Sequence, residues 1–235
     1  MAQRSLSITW LGHASFILTS PKGKRIVVDP WLEGNPSCPD NMKKIDKADL
    51  ILVSHGHFDH TGDVVSVARA TGATVVGIFE LCGWLEGKGV KNTSPMNMGG
   101  TQKIGDIAVS MTQAFHSSST VEDGKIIYLG EPAGYVIRFE DGLTVYYSGD
   151  TALFGDMKLI RELYHPEIAL LPIGDHFTMG PEAAARACEL LGVRQVVPIH
   201  WGTFPLLTGT PAKLRELVAN KNIEVLEMKP GETAS

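Results

Sequence analysis

The sequence predicts an α/β (α+β) protein with two mixed β-sheets and helices packed outside them. Short apolar segments rich in β-branched residues alternate with segments of helical spacing, both early in the chain and again after residue 150. Between about residues 100 and 148, strands and turns follow one another instead. The two halves share this order without a residue-level repeat or a linker, so we expect a single domain over residues 1–235.

Apolar runs and turn residues assign the elements of the first half. The predicted strands are SLSITWLG, ASFILTS, RIVVDP, ADLILVS and ATVVGI, with a turn at Pro21-Lys22-Gly23 and a strand end at Pro30. The predicted helices are DVVSVARATG and FELCGWLEGKG, because both end at glycine. ADLILVS, DVVSVARATG and ATVVGI together form a β-α-β unit.

The second half begins with strands and continues with alternating helices and strands. DIAVSMTQAF, GYVIRFED and LTVYYSGD are predicted strands, and the Glu140-Asp141-Gly142 turn joins the last two. The later elements are GDMKLIRELY, EIALLPIG, PEAAARACELLG, RQVVPIH, PAKLRELVANKN and IEVLEM. We expect disorder only at the last few residues, GETAS.

Composition and charge narrow the function classes. The net charge is −5 and basic runs are short, which argues against a surface for extended nucleic acid. The three cysteines have neither disulfide nor zinc-finger spacing. No signal peptide opens the sequence and no apolar run reaches transmembrane length, so the default expectation is a cytoplasmic protein without a membrane partner. Homo-oligomerisation is left open.

The segment VSHGHFDHTGD concentrates metal-coordinating side chains at the end of an apolar strand. In an extended segment alternate side chains face the same way, so His55 and His57 can point at one metal ion. Asp59 and His60 are adjacent and suit a second ion close to the first. Imidazole and carboxylate together favour zinc, manganese, nickel or iron. A histidine-rich surface loop is the alternative.

Three residues further along the chain occupy the same kind of position. His116, Asp150 and His200 each follow an apolar strand as its first metal-coordinating side chain. One such histidine alone is more often structural. Three matching placements, added to the histidine motif, favour a common metal site.

HGHFDH, His116, Asp150 in SGD and His200 follow in an order that resembles the metallo-β-lactamase superfamily. The resemblance covers nearly the whole chain and implies a four-layer αβ/βα sandwich with a dinuclear site. It implies that one ion is held by His55, His57 and His116 and the other by Asp59, His60 and His200, with Asp150 bridging them. WLGHASF, VVDPW and PIGDHFTMGPEAA resemble a narrower group, the bacterial and archaeal metal-dependent hydrolases related to ascorbate-phosphate lactonase.

Two divalent transition-metal ions, with zinc favoured, can share one water and lower its pKa towards ~7. The bridging hydroxide would then attack an ester, lactone or phosphoester bond of a small-molecule substrate, with Asp59 as a proton acceptor. A phosphodiesterase acting on nucleotides or short nucleic acid is the enzymatic alternative. A metal-binding scaffold or sensor is the alternative from another class.

Three further polar residues are candidates for the site. His13 follows the first strand and His176 lies in a loop before a helix, so both are predicted to line the active site as catalytic residues, with a structural role as the alternative. Asp29 ends a strand before Pro30. It is either a turn residue or the hydrogen-bond partner of a ligand histidine.

Overall fold

A computed structural model of the chain describes residues 5–235 and divides into two compact units. The first unit contains the residues up to 100, residues 117–132 and residues 228–235. The second contains residues 101–116 and 133–227. The single domain that the sequence predicts stays a prediction.

The described residues form short strands and a smaller number of helices. The strands are β1 Ser7–Trp10, β2 Phe16–Thr19, β3 Arg25–Val28, β4 Leu50–Leu52, β5 Thr74–Ile78, β6 Thr93–Met96, β7 Thr101–Ile104, β8 Ile107–Gln113, β9 Ser119–Glu122, β10 Lys125–Tyr128, β11 Ala133–Arg138, β12 Thr144–Tyr147, β13 Ile168–Pro172, β14 Gln195–Ile199, β15 Glu224–Val225 and β16 Thr233–Ala234. The helices are α1 Phe58–Thr61, α2 Val64–Thr71, α3 Phe79–Gly87, α4 Met157–Tyr164, α5 Pro181–Leu191 and α6 Pro211–Val218, with a 3-10 turn at Asp40–Met42.

Each unit contains one seven-stranded mixed sheet. The first has the order β16-β1-β2-β3-β4-β5-β6, antiparallel up to β3 and parallel from β3 to β6. The second has the order β15-β14-β13-β12-β11-β8-β7, parallel from β15 to β12 and antiparallel beyond. The predicted fold class, α/β (α+β) with two mixed sheets and helices, is confirmed.

Apolar burial explains why the parallel strands form. Leu50, Ile51 and Leu52 of β4 are all buried, as expected of a strand covered on both faces. In the second unit, α4, α5 and α6 contribute buried side chains to a core shared with the strands, including Met157, Ala184 and Leu214. In the first unit α3 packs against β5 and β6. Because the strands themselves are apolar, the polar residues that follow them lie at the ends of the strands.

The prediction of disorder in GETAS is wrong, because Thr233 and Ala234 form β16. They pair antiparallel with Thr9 and Ile8 of β1, and the hydroxyls of Thr9 and Thr233 are 2.8 Å apart. IEVLEM forms a much shorter strand than predicted, covering only Glu224–Val225.

Candidate metal centre

The HGHFDH motif leaves β4 in an extended conformation and then turns into one turn of helix. His57 is extended, with φ −68° and ψ 152°, and precedes α1. The His57 carbonyl accepts hydrogen bonds from the backbone N–H groups of His60 and Thr61, which closes the helical turn. Asp59 and His60 both lie in this helical turn, where consecutive residues point about 100° apart.

Asp29 fixes the orientation of His60. The Asp29 Oδ2 atom lies 2.6 Å from His60 Nδ1, and both side chains are fully buried. Asp29 Oδ1 also accepts a 2.7 Å hydrogen bond from the backbone N–H of Ser54. Because Nδ1–H of His60 donates to the carboxylate, Nε2 is the ring nitrogen suited to coordinate a metal. Asp29 is thus a hydrogen-bond partner of His60, which is one of the candidate ligands.

Ser54 orients His55 in a similar way. Its hydroxyl donates to Asp29 Oδ2, so the Ser54 oxygen accepts from His55 Nδ1, 2.9 Å away. His55 Nε2 then carries a lone pair, and it lies 3.0 Å from His57 Nδ1. Two imidazole nitrogens that converge at this distance are well placed to bind one cation. Ser54 directly precedes the motif, but its role was not predicted from the sequence.

Ser117 and Ser118 support the same motif from the segment SSST. Ser117 Oγ is 3.3 Å from His57 Nε2, and Ser118 Oγ accepts a 3.1 Å hydrogen bond from the backbone N–H of Gly56. Gly56 has no room for a side chain, because an added Cβ would lie 2.6 Å from Leu129. The sequence did not predict this contribution of Ser117 and Ser118.

His13 is fully buried, and its Nε2 atom lies 3.0 Å from Asp59 Oδ2. The His13 ring also meets the Trp31 ring edge-on, with centroids 5.3 Å apart. His13, Asp59 and His60 offer ligand atoms that all lie within 4.8 Å of one another. His13 is therefore a direct neighbour of two predicted ligands, and its catalytic role stays a prediction.

In the second unit the structure brings together all three predicted ligands. His116, Asp150 and His200 follow β8, β12 and β14. Asp150 Oδ2 lies 2.9 Å from His200 Nε2 and 3.7 Å from His116 Nε2. Asp150 and His200 are buried. One carboxylate oxygen placed close to two imidazole nitrogens is a donor set that suits a transition metal.

Thr151 and Gly174 hold these ligands in position. Thr151 Oγ1 accepts a 2.9 Å hydrogen bond from the backbone N–H of Phe115, which keeps His116 close to Asp150. Gly174 packs directly against the backbone of His200, where an added Cβ would collide with the His200 carbonyl oxygen. Neither contact could be found from the sequence, because both depend on the pairing of distant strands.

His176 lies in an exposed part of the loop after β13. Its ring meets the Phe177 ring edge-on, with centroids 4.5 Å apart. Among the described residues, no direct contact joins His176 to His116, Asp150 or His200. Its predicted catalytic role therefore stays a prediction. Its exposure is compatible with a residue that meets a substrate.

Four of the candidate site residues have left-handed backbone conformations that are uncommon for side chains other than glycine. The φ angles are 55° at His13, 42° at Asp29, 60° at His176 and 53° at His200. Each such conformation costs about 1–3 kcal/mol and tends to persist at functional sites, where the surrounding structure enforces it. The same conformation occurs at His165, which caps the end of α4, so it does not by itself mark a functional position.

The three cysteines are kept out of this chemistry. Cys38, Cys82 and Cys188 are buried free thiols. Burial raises the pKa of Cys38 to about 11 and the pKa values of Cys82 and Cys188 to about 12. Their thiols therefore stay protonated at neutral pH and are poor nucleophiles and ligands.

Comparison with known proteins decides the family. Residues 24–201 match the β-lactamase superfamily domain. The chain belongs to this superfamily. It is 51% identical to a UPF0173 metal-dependent hydrolase of Koribacter versatilis over 235 residues, which cover all of both chains. It is 53% identical to a second such hydrolase, from Solibacter usitatus, over 226 residues, which cover 96% of this chain and 98% of the relative.

A solved structure supports the same assignment. Igni18, a metallo hydrolase from the archaeon Ignicoccus hospitalis, is 36% identical to this superfamily member. It superimposes with a TM-score of 0.86 over 97% of each chain. The predicted resemblance to the metallo-β-lactamase superfamily is confirmed, and so is the prediction of an enzyme. The protein is a metal-dependent hydrolase, so the alternative of a non-enzymatic scaffold or sensor is wrong.

The donor sets described above fit a divalent transition metal, because they combine oriented imidazole nitrogens with carboxylate oxygens. Among residues 5–235, no helix has the length and apolar character needed to cross a membrane.

Proposed function

We propose that this hydrolase cleaves an ester, lactone or phosphoester bond in a small molecule. Its ligands for two divalent transition-metal ions are His55, His57, Asp59, His60, His116, Asp150 and His200. The observation that carries the proposal is the placement of Asp150 Oδ2, 2.9 Å from His200 Nε2 and 3.7 Å from His116 Nε2. A carboxylate in that setting suits the bridging role that the superfamily resemblance implies.

When bound, a pair of divalent ions supplies an acidified water and a Lewis acid for the substrate's oxygen, with zinc the favoured metal. The chain's own residues prepare this chemistry. Asp29 and Ser54 fix the tautomers of His60 and His55, so that each presents Nε2. No serine or cysteine nucleophile is required.

His13 and Asp59 have separate roles in this proposal. His13 Nε2 contacts Asp59 Oδ2 and thereby holds the carboxylate in one orientation. Asp59 is the candidate proton acceptor. His176 is exposed and can donate a proton to a leaving group or a hydrogen bond to a substrate.

A panel of substrates tests the bond class on protein reconstituted with zinc, manganese or nickel. The panel contains p-nitrophenyl esters, lactones, phosphomonoesters and bis-p-nitrophenyl phosphate, each assayed before and after chelation. We expect metal-dependent turnover of an ester, lactone or phosphomonoester. Turnover confined to the phosphodiester, and shared by dinucleotides or short oligonucleotides, would replace this proposal with the phosphodiesterase alternative.

Replacing His176 by asparagine is expected to lower kcat/KM on the true substrate by about ten- to thousand-fold, while metal content stays unchanged. Asparagine tolerates the left-handed conformation at this position, where φ is 60°, so backbone strain does not explain the loss. His165→Asn is the matched control, because His165 also has a positive φ, 49°, but caps the end of α4. An equal effect of the two variants would leave His176 with a structural role only.

A further inference from the structure

The second unit contains a cavity of about 710 Å³. It lies at the ends of the strands that are opposite to the ends followed by Asp150 and His200. Thr144, the first residue of β12, and Arg194, just before β14, line the cavity at these strand ends. Asp150 and His200 follow the other ends of the same two strands. Six residues of extended chain separate Arg194 from His200, a distance of roughly 20 Å. The cavity is therefore distinct from the candidate metal centre.

Three arginines line this cavity. Arg138 is the last residue of β11, Arg161 lies in the last turn of α4, and Arg194 precedes β14. Arg161 packs across Gly192, where an added Cβ would lie 2.5 Å from its Nε atom. Gly192 also has a φ of 64°, so glycine suits this position for two reasons.

The three guanidinium groups differ in their partners from those of Arg186 and Arg215, two exposed arginines outside the cavity. Arg186 and Arg215 each lie 2.6 Å from a glutamate oxygen. Across residues 5–235, no described carboxylate forms an ion pair with Arg138, Arg161 or Arg194. Glu167 is the one carboxylate among the residues that line the cavity. The residues that line the cavity thus carry more positive than negative charge, three arginines against one glutamate, although the whole chain has a net charge of −5.

The positions of the arginines and the apolar wall indicate the kind of molecule that fits the cavity. β11, β12, β13 and β14 are adjacent strands, so the backbones at Arg138 and Arg194 are roughly 14 Å apart across these strand ends. Apolar side chains, including Val136 and Leu191, and the ring of Tyr164 complete the wall. A cavity of this volume accommodates a small molecule, and guanidinium groups pair bidentately with phosphate or carboxylate.

We propose that this cavity, which we call the arginine cavity, binds a polyanionic small molecule that carries phosphate or carboxylate groups together with an apolar part. The ligand lies at the ends of β12 and β14 that are remote from Asp150 and His200. The site is independent of the bond class that the enzyme hydrolyses.

Arginine side-chain NMR of the full-length, zinc-loaded protein tests this proposal with a local readout. The probes are ADP, citrate and adenosine, added separately. We expect ADP or citrate to shift the Nε–Hε signals of Arg138, Arg161 and Arg194, with adenosine leaving them unchanged. Comparison of ADP with citrate distinguishes a phosphate ligand from a carboxylate ligand.

Variants assign the shifts and the affinity to the arginine cavity. Arg161→Gln and Arg194→Gln are each expected to weaken binding by about ten-fold, because each removes a charge-assisted hydrogen bond. Arg186→Gln, in which an exposed arginine outside the cavity is changed, should bind as the wild type does. Unshifted signals with both anions, or equal shifts of Arg186 and Arg215, would overturn the proposal. Loss of binding on Asp150→Ala but not on the cavity variants would overturn it too, since the anion would then occupy the candidate metal centre.

Discussion

Asp150→Ala is expected to lower kcat/KM by about 10²–10⁴-fold and to reduce the metal content of the purified protein. Asp150 Oδ2 contacts His200 Nε2 at 2.9 Å, and the carboxyl group is buried. Alanine removes the proposed bridging ligand, the carboxylate that lies close to both His116 and His200. Elemental analysis and steady-state kinetics on the same preparations measure both effects.

Asp156→Ala is the matched control for this prediction. Asp156 is an exposed carboxylate six residues away at the start of α4, and its side chain forms no cap hydrogen bond. We expect this variant to keep wild-type metal content and turnover. If the two variants behaved alike, Asp150 would have no bridging role.

Gly174→Ala is expected to lower the free energy of unfolding by about 2–3 kcal/mol, as overpacking of a buried position does. The new Cβ would collide with the carbonyl oxygen of His200 and would lie 3.1 Å from the Leu207 side chain. A backbone oxygen cannot move aside as a flexible side chain can, so His200 must shift. Metal content should therefore fall together with stability, which thermal unfolding and elemental analysis would show.

Gly155→Ala controls for the general effect of removing a glycine. Gly155 belongs to the same unit, and an added Cβ there meets no atom within 4 Å. We expect little change in unfolding temperature or in metal content. A Gly174→Ala protein that matched the Gly155→Ala protein in both measurements would show that the close packing of Gly174 on His200 is unimportant.

Strongly apolar strands and glycine-terminated helices could be predicted from the sequence because burial dictates their pattern. β4, β5, α2 and α5 lie within the predicted segments. The exposed hairpin of β9 and β10 was missed, since Val121 and Ile126 face away from a core. Its Asp123-Gly124 turn was a usable signal. β6 was missed because it is half exposed and contains Pro95, which usually argues against a strand.

The identities of the candidate ligands were readable because each follows a buried strand, whereas the network that orients them was not. Ser54 orients His55 through its hydrogen bonds with Asp29 and His55. Asp29 comes within reach of Ser54 only because of the order of the strands in the sheet. The left-handed conformations of His13 and Asp29 are likewise imposed by tertiary packing. Local propensity contains no information about either feature.

Metal stoichiometry measured together with activity tests the central claim most directly. The purified protein would be analysed for zinc, manganese, nickel and iron, stripped by chelation, and reconstituted while hydrolysis of its best substrate is followed. The proposed ligand set predicts two ions per chain at full activity, and loss of activity as they are removed. Full activity in a rigorously metal-free sample would contradict the account.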